Sequence, residues 1–231
     1  MTAKDIVAEL EILATPQIKK MWMNHGAQEP CLGVKIADMK VIQKRVTKNY
    51  PLALELYDTG IADAMYLAGY LTDDKQMTVA DLDKWVQAAN CPWVAEFMVP
   101  WVASESLVGR DVAVKWIESK DEKVAAAGWQ TYASVMAVTK DSGLDLDEIT
   151  SLLSRVASTI KAQPHRVRWA MNGFVVAAGS YVVPLHDLAV KTADEIGKVE
   201  TSEGKMSSPS DEIKKFAARS PIGRKRKMAQ C

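Results

Sequence analysis

The sequence predicts an all-α protein, a right-handed superhelix of stacked antiparallel helix pairs, and two observations lead to this fold class. Apolar residues recur three or four positions apart through most of the chain, which is the period of an amphipathic helix and not the alternation of a strand. One example is the series Ile149, Leu152, Leu153, Val156 and Ile160. Prolines open several of these segments, at positions where a helix does not need the missing N–H.

Each predicted helix is short, and the links between helices are short as well. We expect helices near residues 3–14, 16–25, 36–49, 51–58, 60–72, 78–89, 92–104, 107–118, 122–138, 146–162, 165–179 and 184–197. Residues 173–183 have the composition of a buried strand, but one strand without a partner is unfavourable, so a helix, or a helix followed by a turn, is expected there. Two helices with their links make a unit of about 40 residues, the size of a HEAT-type repeat. A packed helical bundle is the alternative.

The charge of the chain is divided unevenly along its length. The 231 residues carry 29 basic and 29 acidic side chains, a net charge of zero. Residues 1–197 have a net charge of −5 and residues 198–231 a net charge of +5. We therefore predict one helical-repeat domain over 1–197, followed over 198–231 by a polar loop, a short helix near 210–219 and a basic tail. This distribution excludes a uniformly basic DNA-coating protein but permits a local basic surface.

Several functional classes lack their sequence signatures. No apolar run approaches the roughly 18 residues of a membrane span, and no signal peptide is recognisable, so we expect a cytoplasmic protein without a membrane partner. The cysteines Cys31, Cys91 and Cys231 are far apart, which is typical of free thiols. No zinc, calcium, P-loop or dinucleotide motif is present, and we expect no metal and no cofactor. We also expect a monomer.

One carboxylate interrupts an apolar segment that carries two tryptophans. Glu96 lies within residues 91–101, and Trp93 precedes it by three positions, the spacing of one face of an α-helix. An indole ring and an anion together attract a cationic group. The sequence therefore offers Glu96 and Trp93 as a site for a cationic ligand. The alternative is a solvated carboxylate near a helix N-terminus.

Three basic clusters are candidates for phosphate contacts. Arg166 and Arg168 begin a predicted helix, where free N–H groups and arginine side chains bind anions. The other candidates are Lys35 near an early helix and, in the tail, Arg224, Lys225, Arg226 and Lys227. The alternative is that these charges face water or pair with neighbouring acids.

Together, these segments resemble the AlkD-like HEAT-repeat DNA glycosylases of DNA alkylation repair, as a divergent branch. Residues 32–39 (LGVKIADM) are similar to an early family segment, G-V-(K/R)-x-P-D-(L/M), with Ala37 at the usual proline. Residues 91–101 are similar to the segment that carries the family's tryptophan and aspartate, and residues 166–173 to a later basic helix. The terminal residues 223–227 resemble the ending of one branch of the family.

The resemblance implies double-stranded DNA as partner and hydrolysis of the glycosidic bond of cationic N3- or N7-alkylated purines, without a metal. Glu96 would be the catalytic carboxylate that stabilises the oxocarbenium-like sugar, and Trp93 the aromatic ring against the cationic nucleotide. The site departs from the family pattern. Glu96 replaces the aspartate, Pro92 stands where the tryptophan is expected, and the family's arginine and second tryptophan fall near Ala126 and Gly173.

Two functions are therefore compatible with the sequence. The first is a DNA-binding repair protein with glycosylase activity. The second is a non-catalytic helical-repeat scaffold that binds a protein or undamaged nucleic acid. A steep fall of DNA affinity with salt concentration favours the first, because each phosphate contact releases counterions.

Overall fold

The structure, a computed structural model, describes residues 1–201, 204–205 and 208–229. The chain divides into two compact units, Met1–Leu107 and Val108–Cys231. The segment after residue 197 belongs to the second unit. The prediction of a single domain over 1–197 stays a prediction. Cys231 lies outside the described residues.

The first unit is helical throughout. Its helices are α1 (Ala3–Leu13), α2 (Pro16–Asn24), α3 (Ile36–Val46), α4 (Tyr50–Asp58), α5 (Ala62–Leu71), α6 (Val79–Ala88) and α7 (Val99–Glu105). A 3₁₀ turn covers Asp74–Gln76 and a π-helix covers Val94–Met98. Thr78 and Asp81 form a capping box at the start of α6. The rings of Tyr57 and Trp85 stack in the core with centroids 4.2 Å apart.

The second unit contains the longest helices. They are α8 (Gly109–Ile117), α9 (Glu122–Val138), α10 (Leu146–Thr159), α11 (His165–Tyr181), α12 (His186–Ile196) and α13 (Pro209–Ala217). Helix α9 packs between α8 and α11, and Trp129 contacts Phe174 edge-on at the α9–α11 contact. Gly128 permits the close approach of α8, because a Cβ there would lie 2.5 Å from the backbone N of Ile117. Helix α11 runs through most of residues 173–183, as predicted.

The segment after α12 is not a simple loop. Strands β1 (Glu200–Thr201) and β2 (Gly204–Lys205) pair antiparallel, where the sequence predicts only a polar connection. The basic tail is also ordered against the second unit. Apart from these two strands of two residues each, the regular elements of the described residues are helical. The all-α prediction is confirmed.

Within the described ranges, no single helix is both long and apolar enough to cross a membrane. One bent pair, His165–Tyr181 with Val183–Ile196 at 114°, meets that criterion by length and composition together.

Candidate functional site: acidic and aromatic groups in one unit, basic groups in the other

A buried carboxylate organises the segment that carries the early family motif. Asp63 in α5 is only 2% exposed and accepts hydrogen bonds from the backbone N–H groups of Leu32 (2.6 Å), Gly33 (3.1 Å) and Val34 (2.7 Å). Gly33 has φ +89°, and a Cβ there would lie 2.3 Å from the backbone N of Lys19. The glycine of the motif therefore serves close packing, and the three N–H groups that could bind an anion already hold Asp63.

This loop sets the start of α3 and the position of Lys35. Lys35 is the N-cap residue of α3 and is exposed. Other cations in α3 or just after it have partners: Arg45 pairs with Glu9, Lys48 pairs with Asp74, and Lys40 lies 5.7 Å from the ring centroid of Tyr70. The carbonyl of Lys35 accepts from the N–H groups of Asp38 and Met39, but its side chain makes no hydrogen bond or ion pair with any residue that the structure describes.

Glu96 lies in a π-turn instead of the α-helix expected over 92–104. The N–H of Val99 bonds to the carbonyl of Val94, five residues earlier. The cause is Pro100, which has no N–H to donate to the carbonyl of Glu96, so the α-helical ladder cannot continue there. The three-residue spacing that places two side chains on one face of an α-helix does not hold in this wider turn. Glu96 is 8% exposed, and the next residue, Phe97, is 47% exposed.

Trp93 packs against Trp22 of α2, a residue that the sequence did not single out. The ring centroids are 4.5 Å apart and the rings are tilted by 32°. Both indoles are half-buried, so part of the pair is open to solvent. Trp101, the other tryptophan near Glu96, is a core residue in contact with Tyr66 and Tyr70. The first unit thus combines a nearly buried carboxylate with one open aromatic pair.

The described thiols of the first unit are not nucleophiles. Burial raises the pKa of Cys31 to about 12, and the negative charge of Asp63 adds to that effect. Burial also raises the pKa of Cys91 to about 12. Both cysteines therefore stay protonated near neutral pH, and a thiol is a poor nucleophile. Among the described residues, no group of three or more His, Cys, Asp or Glu side chains could hold a metal ion.

Two positions at which the family carries functional side chains are packed differently in this chain. Ala126 is fully buried in α9, where the site offers no space for an arginine. Gly173 is half-buried, and a Cβ there would lie 3.7 Å from the amide oxygen of Gln130. No tryptophan or arginine occupies these positions in the second unit.

The basic residues at the start of α11 face a carboxylate from α9. Glu122 accepts a hydrogen bond from the backbone N–H of Arg166 at 2.9 Å, and this satisfies one free N–H group of the helix N-terminus. Arg168 contacts His165 through its Nη2 at 2.7 Å from Nδ1. Arg168 also lines a cavity of about 330 Å³ together with Lys161 and other residues. A phosphate at this terminus would therefore share it with Glu122.

The basic tail is anchored to the ends of two helices through Lys225. Its Nζ donates to the carbonyl of Tyr181 at the end of α11 (2.6 Å) and to the carbonyl of Met136 near the end of α9 (3.0 Å). Its Nζ also lies 2.7 Å from a carboxylate oxygen of Asp141, and the lysine side chain is only 16% exposed. The ammonium of Lys225 is thus engaged by the protein, whereas Arg224 and Lys227 are exposed.

Comparison with known proteins agrees with these features. The sequence matches the family described as DNA alkylation repair enzyme over residues 6–207. The chain belongs to this family. An uncharacterized protein of Listeria innocua is 32% identical over 212 residues, 90% of this chain and 92% of the relative. One of Listeria monocytogenes is 30% identical over 209 residues, 88% of this chain and 90% of the relative.

The fold is also similar to that of a solved structure of another protein. It has a TM-score of 0.92 and 39% identity to this chain, and the match covers 100% of both chains. That protein is described as one of a new family related to the HEAT-like repeat DNA glycosylases with affinity for branched DNA structures. The HEAT-like fold and the family predicted from the sequence are both confirmed. The individual roles predicted for Glu96, Trp93 and the basic residues stay predictions.

Proposed function

We propose that the protein is a DNA-binding member of the alkylation-repair family that acts as a monomer on duplex DNA and prefers branched DNA. The observation that carries the proposal is the ordered basic tail, which holds Arg224 and Lys227 at fixed, exposed positions on a unit of net charge +4. A backbone that is already ordered loses little conformational freedom when its side chains contact phosphates. The relative with affinity for branched DNA supports the choice of DNA shape.

Arg166, Arg168, Lys35 and Arg226 complete the proposed set of phosphate contacts. Lys225 contributes indirectly, because its ammonium holds the tail in place. Contacts of this kind bind the sugar-phosphate backbone and carry no sequence information, so recognition would depend on the shape of the DNA.

The test is the affinity for a four-way junction, a three-way junction and a linear duplex of equal length, measured by fluorescence anisotropy between 50 and about 300 mM salt. The triple variant Arg166→Gln/Arg224→Gln/Lys227→Gln should lose about tenfold or more in affinity at the lower salt concentrations. Its log–log salt slope should be smaller in magnitude by about 2.7, at about 0.9 for each phosphate contact. Sedimentation equilibrium gives the oligomeric state.

The matched control is Lys4→Gln/Lys20→Gln/Lys75→Gln, which removes the same charge from exposed positions of the first unit. It should change affinity by less than about twofold. Absence of DNA binding at low salt, or equal losses in the two triple variants, would contradict the proposal.

A second candidate function is hydrolysis of the glycosidic bond of cationic alkylpurines. The observation that favours it is that Glu96 lies in a π-turn, three residues after the Trp93 of the half-open Trp22–Trp93 pair, since π-turns are frequent at functional sites. A carboxylate stabilises the developing positive charge on the sugar, and the indole faces attract the cationic base.

Release of 7-methylguanine and 3-methyladenine from alkylated duplex DNA measures this activity. If the site is catalytic, Glu96→Gln should lower the rate about a hundredfold, while Glu55→Gln, at an exposed position of the same unit, should not. Absence of release by the wild-type protein would remove this candidate and leave the DNA-binding proposal intact. Circular dichroism checks that each variant is folded.

A further inference from the structure

An open pocket of about 410 Å³ lies in the second unit, between the basic tail, α13 and the end of α11. Its lining includes the aromatic rings of Tyr181 and Phe216 and the cationic side chains of Arg224, Arg226 and Lys227. Its volume falls in the range of small-ligand sites. Neither Glu nor Asp is among the described residues that line it.

The wall of this pocket is fixed before any ligand binds. The backbone N–H of Gly223 donates to the carbonyl of Ser180 at 2.9 Å, and that of Arg226 donates to the carbonyl of Ala137 at 2.8 Å. Gly223 has φ +81°, and a Cβ there would lie 2.2 Å from a methyl carbon of Val183, so only glycine permits this approach. With Lys225 as a third anchor, the tail is a rigid part of the unit.

Two cations of the pocket, Arg224 and Lys227, are exposed. The nearby carboxylate of Asp141 pairs with Lys225. Neither Arg224 nor Lys227 makes a side-chain hydrogen bond or an ion pair with a residue in the described part of the chain. An arginine with a free guanidinium can bind a phosphate through two parallel hydrogen bonds.

The aromatic part of the pocket suits a flat ring. Tyr181 and Phe216 meet edge to face, with centroids 5.0 Å apart and planes at 70°. Both rings are half-buried, so the protein fixes their orientation while part of each stays accessible. Stacking platforms beside cationic side chains are the means by which proteins bind unpaired nucleotides without sequence preference.

We propose that this pocket binds an unpaired nucleotide of a DNA strand, with the base against Phe216 and the phosphate on Arg224. The inference rests on the proposed DNA-binding function and supplies a reason for a preference for branched DNA. Bases at a branch point can leave the stack at lower cost than bases inside a duplex, since they lack a complete set of stacking neighbours. A fully paired duplex would present only phosphates to the same cations.

The direct test uses a fluorescein-labelled hexathymidylate and an abasic hexamer with the same phosphates, both measured by anisotropy at low salt. The wild-type protein should bind the hexathymidylate at least about fivefold more tightly, because stacking contributes that much or more for one base. Phe216→Leu should abolish the difference between the two probes. Arg224→Gln should weaken both by at least about fivefold, whereas Arg219→Gln, an exposed arginine outside the pocket lining, should change them by less than about twofold.

The outcomes separate the pocket from the general function. Equal affinity for the two probes, or an unchanged preference in Phe216→Leu, would overturn the nucleotide pocket. If branched DNA still binds in that case, the proposed function stands alone. If the hexathymidylate shows the expected pattern but junctions bind no better than linear duplex, the pocket stands and the preference for branched DNA falls. Thermal denaturation of Phe216→Leu verifies that the unit remains folded.

Discussion

In each of the two compact units one charged side chain binds several backbone groups, and the two charges are opposite in sign. The first unit carries 10 basic and 14 acidic side chains, and the second carries 19 and 15. In the first unit, the Asp63 carboxylate accepts hydrogen bonds from three backbone N–H groups of a loop. In the second unit, the Lys225 ammonium donates hydrogen bonds to two backbone carbonyl groups at helix ends. Both side chains satisfy backbone groups that helices and turns leave unpaired.

The two contacts have different consequences for the surface of each unit. A buried carboxylate takes up the anion-binding N–H groups of its loop, so the early family motif in the first unit has a structural role. The half-buried ammonium of Lys225 instead fixes the basic tail, in which Arg224 and Lys227 are exposed. We therefore place the proposed DNA contacts mainly in the second unit and the candidate carboxylate chemistry in the first.

The largest effect on stability is expected for Asp63→Ala. The substitution leaves the N–H groups of Leu32, Gly33 and Val34 without their acceptor, and unsatisfied buried groups cost about 1–3 kcal/mol each. The free energy of unfolding should fall by about 3 kcal/mol or more, measured by urea denaturation. Asp58→Ala removes an exposed ion pair with Lys84 and should cost less than about 1 kcal/mol. Equal losses in the two variants would show that Asp63 is not a special anchor.

An intermediate effect is expected for Lys225→Met. This change keeps much of the side-chain length but removes the donor to Tyr181 and Met136 and the charge opposite Asp141. We expect a loss of about 2 kcal/mol, because Asp141 and two helix-end carbonyls lose a charged partner. Lys227→Met, at an exposed position, should be close to neutral. If Lys225→Met also left stability unchanged, the tail would not be anchored as described.

The smallest effect is expected for Asp81→Asn at the start of α6, whose carboxylate accepts hydrogen bonds from Thr78 and from Tyr50 of α4. Burial raises the pKa of Asp81, but hydrogen bonds from Thr78 and Tyr50 outweigh this, and the pKa is lowered from its ordinary value of 3.8. A group whose pKa is lower in the folded state stabilises the protein above the unfolded-state pKa, and this contribution disappears as pH falls through the folded-state pKa.

The Asp81→Asn variant should therefore lose no more than about 1 kcal/mol at pH 7, and its difference from the wild type should shrink below about pH 4. Urea denaturation at pH 7 and pH 3 measures both values. A difference that grew at low pH would contradict the ionised cap. Together with the two larger effects, this result would rank the contacts of Asp63 and Lys225 with the backbone above the helix cap of Asp81.

The parts of the fold that depend on local patterns could be predicted from the sequence. The helical period predicted that residues after 173 continue α11, which ends at Tyr181, and it predicted the helix near 78–89 that contains α6. A capping box and an amphipathic period involve residues within a few positions of each other, so a single sequence contains the whole signal.

The contacts that define the candidate sites are long-range, and the sequence did not reveal them. Asp63 bonds to residues about thirty positions earlier, and Lys225 bonds to Met136, which lies 89 positions away. Trp22 gave no signal of its pairing with Trp93. The π-turn had a visible cause in Pro100, but the consequence for Glu96 requires the hydrogen-bond ladder of the folded chain.

The anchoring of Lys225 also bears on how the chain meets proteases. Residues 224–227 are four consecutive basic residues, each a site at which a trypsin-like enzyme can cut. A protease needs an extended, accessible backbone, yet here the N–H of Arg226 and the ammonium of Lys225 are both engaged. Cleavage inside this run therefore requires local opening of the tail. The rate of tryptic cleavage after Lys225 would thus report how often the tail detaches. A ligand that binds the side chains of the tail should lower this rate.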